Sequence, residues 1–200
     1  MRHITTKNFS LIVIGVSFIV FVYMIIKVFG IVQKRQIGTS DGIYANRVTT
    51  SQEIKTKAFE LTKECQSELC ILQSLLDYVT NIPYKLNHFK AHSPQRTIKL
   101  NFGDCDDKSN LLISMLYVLE KEAYFVLVPN HIFVIVSAKS KTLEATKGLW
   151  INGKKYFILE STAQGSVVGF PLHYKLSQIN VIVNPFTNKK VKVEQIDYRL

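Results

Sequence analysis

GDCDDKSNLLISMLYVLEKEAYFVLVPNHIFVIV, residues 103–136, changes its hydrophobic period partway along. Leu112, Met115, Leu116 and Leu119 recur at intervals of three and four, the spacing of a helix with one buried face. That helix starts near Cys105. Tyr124–Val128 and Ile132–Val136 are then two apolar runs rich in β-branched and aromatic residues, separated by a short turn-forming stretch. They read as strands.

Upstream, Thr50 followed by Glu53 resembles a capping box and opens a helix through about Lys63. A second helix runs from Ser67 to Thr80, with Leu72, Leu75, Leu76 and Val79 as its buried stripe. Pro83 ends it, and Tyr84 to Phe102 reads as an irregular polar surface loop containing Pro94. Downstream, Tyr156–Glu160, Ile179–Val183 and Val191–Gln195 read as further strands. Asn152-Gly153, between Trp150-Ile151 and Lys154-Lys155, is a two-residue hairpin signal. Helices first and strands afterwards predict an α+β domain with an antiparallel sheet rather than a doubly wound parallel one.

The 200 residues suit one domain plus an appendage. A 47% hydrophobic, 20% charged composition excludes extended disorder, and five Pro with nine Gly exclude collagen-like or low-complexity chains. Three Cys make neither a dense disulfide framework nor a four-Cys zinc site. The net charge of +10 is concentrated at one end. Arg2, Lys7, Lys27, Lys34 and Arg35 precede Gln36 with no acidic residue among them; the remaining 20 basic residues face 15 acidic ones. They form no arginine stripe and no aromatic platform, so no nucleic-acid partner is expected. Lys189-Lys190 with Lys192 read as a solvated strand edge, the alternative being contact with anionic lipid in an anchored protein.

Phe9 to Ile26 is 18 consecutive uncharged residues. With the apolar residues beyond Lys27 the stretch reaches about 24, enough to cross a hydrocarbon core about 30 Å thick. Residues 9–33 are therefore expected to be a single-pass membrane anchor after a short flank, 1–8. The alternative is a cleaved signal peptide, whose apolar region is shorter and ends in a small-x-small site absent around Lys27-Val28-Phe29-Gly30. Flanking charge is nearly balanced, so it does not orient the span. Residues 34–49, including the polar QIGTSDGIYAN at 36–46, read as a linker to a domain over 50–200.

Three residues stand where chemistry is possible. With Asp104 as cap, Cys105 falls in the first turn of its helix, where unpaired amides and the macrodipole favour a thiolate. Asp106 and Asp107 oppose this, so a cationic partner is needed. His131, entering its strand after Pro129-Asn130, is the candidate base. Glu160 ends the 156–160 strand, and antiparallel pairing around the 152–153 hairpin would set it opposite His131, in the orienting role of a triad.

These residues carry a resemblance. From Leu69 to Gly169 the chain resembles the transglutaminase-like (papain-like) cysteine peptidase superfamily, especially its small bacterial members. The matching motifs are Asp77-Tyr78-Val79, Ile82-Pro83-Tyr84, Ser93-Pro94-Gln95-Arg96-Thr97 and Gly103-Asp104-Cys105-Asp106-Asp107-Lys108-Ser109. Asn130-His131-Ile132-Phe133 and Leu159-Glu160-Ser161-Thr162 come next, with Gly165 and Gly169. The resemblance implies Cys105 as nucleophile, His131 as base and Glu160 as orienter, the usual acid being Asp. It implies acyl transfer at amide bonds of a peptide or protein through a thioester, without cofactor or metal. The Cys105 backbone N–H and the Tyr84 hydroxyl are candidate oxyanion donors. Two alternatives share the fold: a non-catalytic peptide-binding module, and a transamidase with an amine acceptor.

Cys65 and Cys70 would strain as a disulfide within one continuous helix; a break near Gln66-Ser67 permits the bond, and two reduced cysteines are the alternative. A bond implies an oxidising compartment and, with the anchor, a domain on the extracytoplasmic (periplasmic) side, which agrees with the setting of many bacterial relatives. His88 and His92, four apart but followed by Pro94 and joined by no carboxylate or Cys, read as surface histidines rather than metal ligands.

Overall fold

The computed structural model describes residues 6–34, 36–38, 43–87 and 91–200, with the side chains of the first helix described over 9–27. Arg2, Arg35, His88 and linker residues 39–42 lie outside the described residues. The chain divides into two units, Met1–Gln36 and Ile37–Leu200. The first holds helix α1 (Thr6–Lys34). Its Phe9–Lys27 portion has a mean hydropathy of 2.8 and no buried residue, so it is long and apolar enough to cross a membrane. A signal sequence meets the same criterion.

The second unit is α+β. Its helices are α2 (Gln52–Thr62), α3 (Glu68–Thr80), α4 (Pro94–Leu100) and α5 (Cys105–Val118). A two-stranded sheet near its start pairs β1 (Gln36–Gly38) with β2 (Ile43–Ala45). The main sheet is built from β3 (Ala123–Val128), β4 (His131–Val136), β5 (Gly148–Ile151), β6 (Lys154–Leu159), β7 (Val181–Asn184), β8 (Lys189–Lys190) and β9 (Ile196–Arg199). These seven strands are antiparallel, in the order β8-β7-β3-β4-β6-β5-β9. Helix α5 packs on β3 and β4, and α2, α3 and α4 pack on α5. Both faces of the sheet are covered. Phe125, Leu127, Ile132, Val134, Phe157 and Leu159 face the helices; Val126, Val128, Phe133, Ile135, Ile158 and Ile182 form a second core under C-terminal residues such as Phe170, Tyr174 and Tyr198. Double-sided burial is why β3 and β4 read as continuous apolar runs rather than alternating ones.

The stripes predicted for α3 and α5 are buried, except that α5 ends at Val118 and Leu119 is its C-cap. Ser67 caps α3 as expected, whereas the cap of α2 is Ser51, not Thr50. The stretch 84–102 is not loop throughout. Ser93 caps α4, Pro94 opens it where a missing N–H costs nothing, and Asn101 closes it in the left-handed conformation (φ 52°). The linker also holds structure, in β1 and β2, because Ile37 (5% exposed) and Tyr44 belong to the helical core. The end of β2 and the residues just after it are bound to α5, with Asn110 Nδ2 donating to the Ala45 carbonyl (2.9 Å) and Arg47 N–H donating to Asn110 Oδ1 (2.6 Å).

The strand expected at 191–195 is absent, and β7 begins at Val181 rather than Ile179. Instead, the side chain of Asn152 holds this stretch. Its Oδ1 accepts from the Glu194 and Gln195 N–H groups (2.8 and 3.1 Å) and its Nδ2 donates to the Lys192 carbonyl (2.8 Å). Asn152 (φ 49°) and Gly153 (φ 80°) both adopt the left-handed conformation that a two-residue hairpin demands, here between β5 and β6.

Candidate active site

Asp104 caps α5 by accepting the Asp107 N–H (3.3 Å), which puts Cys105 in the first helical turn. Pro129 and Asn130 (φ 57°) turn the chain between β3 and β4, so His131 is the first residue of β4, paired with Val128. The β4–β6 ladder ends at Val134–Leu159, which sets Glu160 across from Phe133 and diagonal to His131, not directly opposite it. The long Glu160 side chain spans the offset, and its Oε2 lies 2.8 Å from His131 Nε2.

The elements that carry Cys105 and His131 meet through the main chain of Ile132. The N–H groups of Ile132, one residue beyond His131, and of Asp106 act on the Cys105 sulfur in the sense that favours its thiolate. One turn further along α5, Ser109 Oγ donates to the Ile132 carbonyl (3.4 Å) and lies 3.1 Å from Ser161 Oγ. The start of β4 is therefore tied to α5 by Ser109.

The Glu160 carboxyl is buried, which acts to raise its pKa. The His131 ring and the Thr162 hydroxyl and N–H outweigh that and hold it below the usual carboxylate value. Its Oε1 accepts from Thr162 Oγ1 (2.6 Å) and N–H (3.0 Å), leaving Oε2 to the imidazole. A carboxylate on Nε2 fixes the tautomer with the proton there and leaves Nδ1 as the basic atom.

The thiol departs from expectation. Burial, then the charges of Asp106 and Asp104, push Cys105 up to about 12, against the Ile132 and Asp106 N–H groups. The helix terminus does not prevail, because two acidic side chains accompany the sulfur out of water. Asp106 is itself pushed up to about 8 by burial, by its hydrogen bond with Asp104 and by the negative charges of Asp104 and Asp107. Ligand atoms of these three carboxylates lie within 4.8 Å of one another.

Residues that local sequence patterns do not mark surround this centre. Lys108 is 1% exposed; its Nζ donates to the carbonyls of Thr80 (3.2 Å) and Ile82 (2.8 Å), and burial brings it down to about 8 against the attraction of Glu160. His92 is 6% exposed, not a surface residue: its N–H donates to Asp107 Oδ1 (2.5 Å) and its Nδ1 lies 3.2 Å from Oδ2. Tyr174 lies nearly parallel to both the His131 ring (6.2 Å between centroids) and Phe133 (6.4 Å). The strap that delivers it is held where Ile158 O accepts from the Gly169 and Phe170 N–H groups. Gly165 and Gly169 (φ 73° and 86°) are the visible trace of that strap in the sequence.

Tyr84 pairs by a single parallel bridge with Gly103, two residues before Cys105. Its phenol is pushed up by burial and by charge on Cys105, Asp104 and Asp106. Cys65 and Cys70 are joined, their sulfurs 2.05 Å apart across the α2–α3 turn.

No protein-family model matches the chain. No curated protein matches it. Solved structures do: a candidate cysteine protease from Cytophaga hutchinsonii is similar at 18% identity with a TM-score of 0.46, over 62% of this chain and 43% of that one. A candidate protease from Parabacteroides distasonis is similar at 15% identity, also with a TM-score of 0.46, over 74% of this chain and 29% of that one. The chain thus spans less than half the length of either structure.

Proposed function

We propose that this protein is a membrane-anchored, transglutaminase-like thiol peptidase or amidase in which Cys105, His131 and Glu160 cleave amide bonds of a peptide or protein. The observation that supports the reading is the tie between the elements carrying the three residues: Ser109 of α5 bonds the Ile132 carbonyl of β4, and the neighbouring His131 has its Nε2 2.8 Å from the Glu160 carboxylate at the end of β6. Because the thiol is neutral at rest, His131 acts as a general base during attack rather than as half of a preformed ion pair.

In the first half-reaction His131 Nδ1 takes the thiol proton as sulfur bonds to the carbonyl carbon. The oxyanion collapses, the C–N bond breaks, and the imidazolium gives its proton to the leaving amine. In the second, His131 deprotonates water, the new C–O bond forms, the S–C bond breaks and the proton returns to sulfur. No bond order or proton is left over. Residues 9–33 would hold the domain at a membrane, and the Cys65–Cys70 bond supports an oxidising, extracytoplasmic setting.

One observation favours a second reading, a non-catalytic peptide-binding module: a thiol pushed up to about 12 is a poor resting nucleophile. Iodoacetamide labelling of the full chain in detergent micelles separates the two. Catalysis predicts that His131→Ala slows Cys105 alkylation at pH 7 at least tenfold; the binding module predicts no change.

A further inference from the structure

The β7–β8 hairpin turns through residues 185–188, and side chains hold the turn. Asn184 Oδ1 accepts the N–H groups of Phe186 (2.9 Å) and Thr187 (3.1 Å), and Asn188 takes the left-handed conformation (φ 54°). Buried Asn46 fastens it from a distant part of the chain: its Nδ2 donates to the Pro185 carbonyl (2.6 Å) and to Asn188 Oδ1 (3.0 Å). The turn so held presents Phe186, whose ring stacks on that of Tyr117 of α5 with 3.7 Å between centroids. Each of the two residues stays 40% exposed, so the pair offers aromatic surface outward.

Positive charge accompanies the rings. Lys189 and Lys190 form β8 and are exposed. Lys190 pairs with Val183, a residue of the helix-side core, so its side chain leaves the sheet on the side of Tyr117 and Phe186; Lys189, paired with Asn184, leaves on the other. Lys192 is matched by Glu194 (2.7 Å), and no acidic residue stands between Val181 and Val193. Glu120, exposed three residues after Tyr117, is the acid nearest the rings in sequence, one charge against two.

The chain also ties this edge to the apolar helix. Helix α1 ends at Lys34, and Ile37, three residues on, is already packed in the domain core, a reach of about 11 Å at most. β1, which holds Ile37, pairs with β2, and Asn46 is the residue after β2. The side chain that fastens the turn therefore follows directly on the strand paired with the chain's entry into the domain.

We infer that the β7–β8 turn is a lipid-binding foot of the domain: Phe186 and Tyr117 enter the interfacial layer of a bilayer, and Lys189 and Lys190 lie against anionic phospholipid headgroups. A ring with a polar tip, such as that of Tyr117, favours this layer. Each lysine close to an anionic surface favours contact about fivefold, an attraction that salt screens. The inference rests on the reading of residues 9–33 as a retained anchor, which supplies the membrane; the foot then decides which edge of the domain lies on it. It is independent of the chemistry assigned to Cys105.

The test uses the full chain, recovered from membranes and reconstituted in nanodiscs of phosphatidylcholine with or without about one third phosphatidylglycerol. Intact mass first shows whether residues 9–33 are retained; their loss would overturn the foot together with the anchor. With the span intact, Phe186→Trp is compared in nanodiscs of ordinary and of acyl-brominated lipid, the wild-type Trp150 signal being subtracted. The foot predicts that bromine quenches the new indole by at least about half when phosphatidylglycerol is present. Lys189→Gln with Lys190→Gln, or about 0.5 M salt, should remove most of that quenching. Quenching that is absent, or indifferent to phosphatidylglycerol and to the lysines, would overturn the foot and leave the anchor standing. Amide exchange of the wild type needs no substitution: slower exchange over residues 185–190 with phosphatidylglycerol than without it supports the foot, and equal exchange contradicts it.

Discussion

His131 Nε2 and Glu160 Oε2 lie 2.8 Å apart although the strand register sets them diagonally. The length of the Glu160 side chain is what crosses that diagonal. Glu160→Gln keeps the length and removes the charge that selects the Nε2–H tautomer. It is expected to lower peptide hydrolysis by at least a hundredfold while leaving thermal stability within about 1 kcal/mol. Glu160→Asp keeps the charge but shortens the reach, and is expected to fall between wild type and Glu160→Gln. Hydrolysis rates of the three proteins on one peptide check the order.

Asp106 gives a pH dependence of stability with a definite sign. Its folded-state value, about 8, lies above the ordinary 3.8, so the folded protein holds a proton that the unfolded chain releases. The associated stabilisation is intact below about pH 4 and is lost as pH rises through about 8. The stability difference between wild type and Asp106→Asn should therefore shift in favour of Asn as pH is raised across that window. Paired thermal unfolding at pH values of about 4.5, 6 and 8 measures it, and a pH-independent difference would contradict the assignment.

The Cys65–Cys70 bond closes a short loop, with a sequence separation of 5. Loop closure of that size stabilises a fold by about 2 kcal/mol. Reduction, or Cys65→Ser with Cys70→Ser, should lower the melting temperature by about 5 °C, read by thermal unfolding with and without reductant. Cys105 alkylation at pH 7 should be little altered, since α2 and α3 contribute no residue to the proposed triad.

Gly103→Ala tests the packing beneath Tyr84. The new methyl would meet Asp107 Cβ at 2.7 Å and Thr97 Cγ2 at 3.3 Å. Relief requires the helix start and the bridge to part, at a cost of about 1–3 kcal/mol. The variant should unfold at lower temperature than wild type, read by thermal unfolding of the two proteins side by side.

How legible each element is in the sequence depends on how it is buried. Helix α3 is buried on one face, so Leu72, Leu75, Leu76 and Val79 announce it. β3 and β4 are covered on both faces and announce themselves as unbroken apolar runs. Helix α5 is only half announced. It is surrounded by the sheet, three helices and residues 45–49, so Lys108, Ser109, Asn110 and Ser114 are buried as well as its apolar stripe. Their hydrogen bonds include carbonyls and side chains far away in sequence, which no local pattern displays. α4 buries only Pro94 and Thr97, too little for a stripe to show. The stretch at 191–195 has strand composition but is held by the Asn152 side chain and by single main-chain bonds at its two ends, Val191 to Ile182 and Asn152 to Gln195, in place of a ladder.

The site divides the same way. Asp104 as cap and His131 after a Pro-Asn turn are local features, expected from local signals. The burial of His92 against Asp107 and the elevation of the Cys105 thiol depend on tertiary enclosure. A helix terminus favours a thiolate; clustered carboxylates and loss of water reverse that preference, and only the fold reveals the cluster.

The central claim is that a neutral Cys105 thiol is made nucleophilic by the base His131. The most direct measurement is the second-order rate of Cys105 alkylation by iodoacetamide from about pH 5 to 10 in wild type and His131→Ala. A wild-type profile with a rate plateau between about pH 7 and 9, at least tenfold above the variant, is predicted, with the variant rising only as the bare thiol ionises at high pH. Superimposable profiles for the two proteins would contradict it.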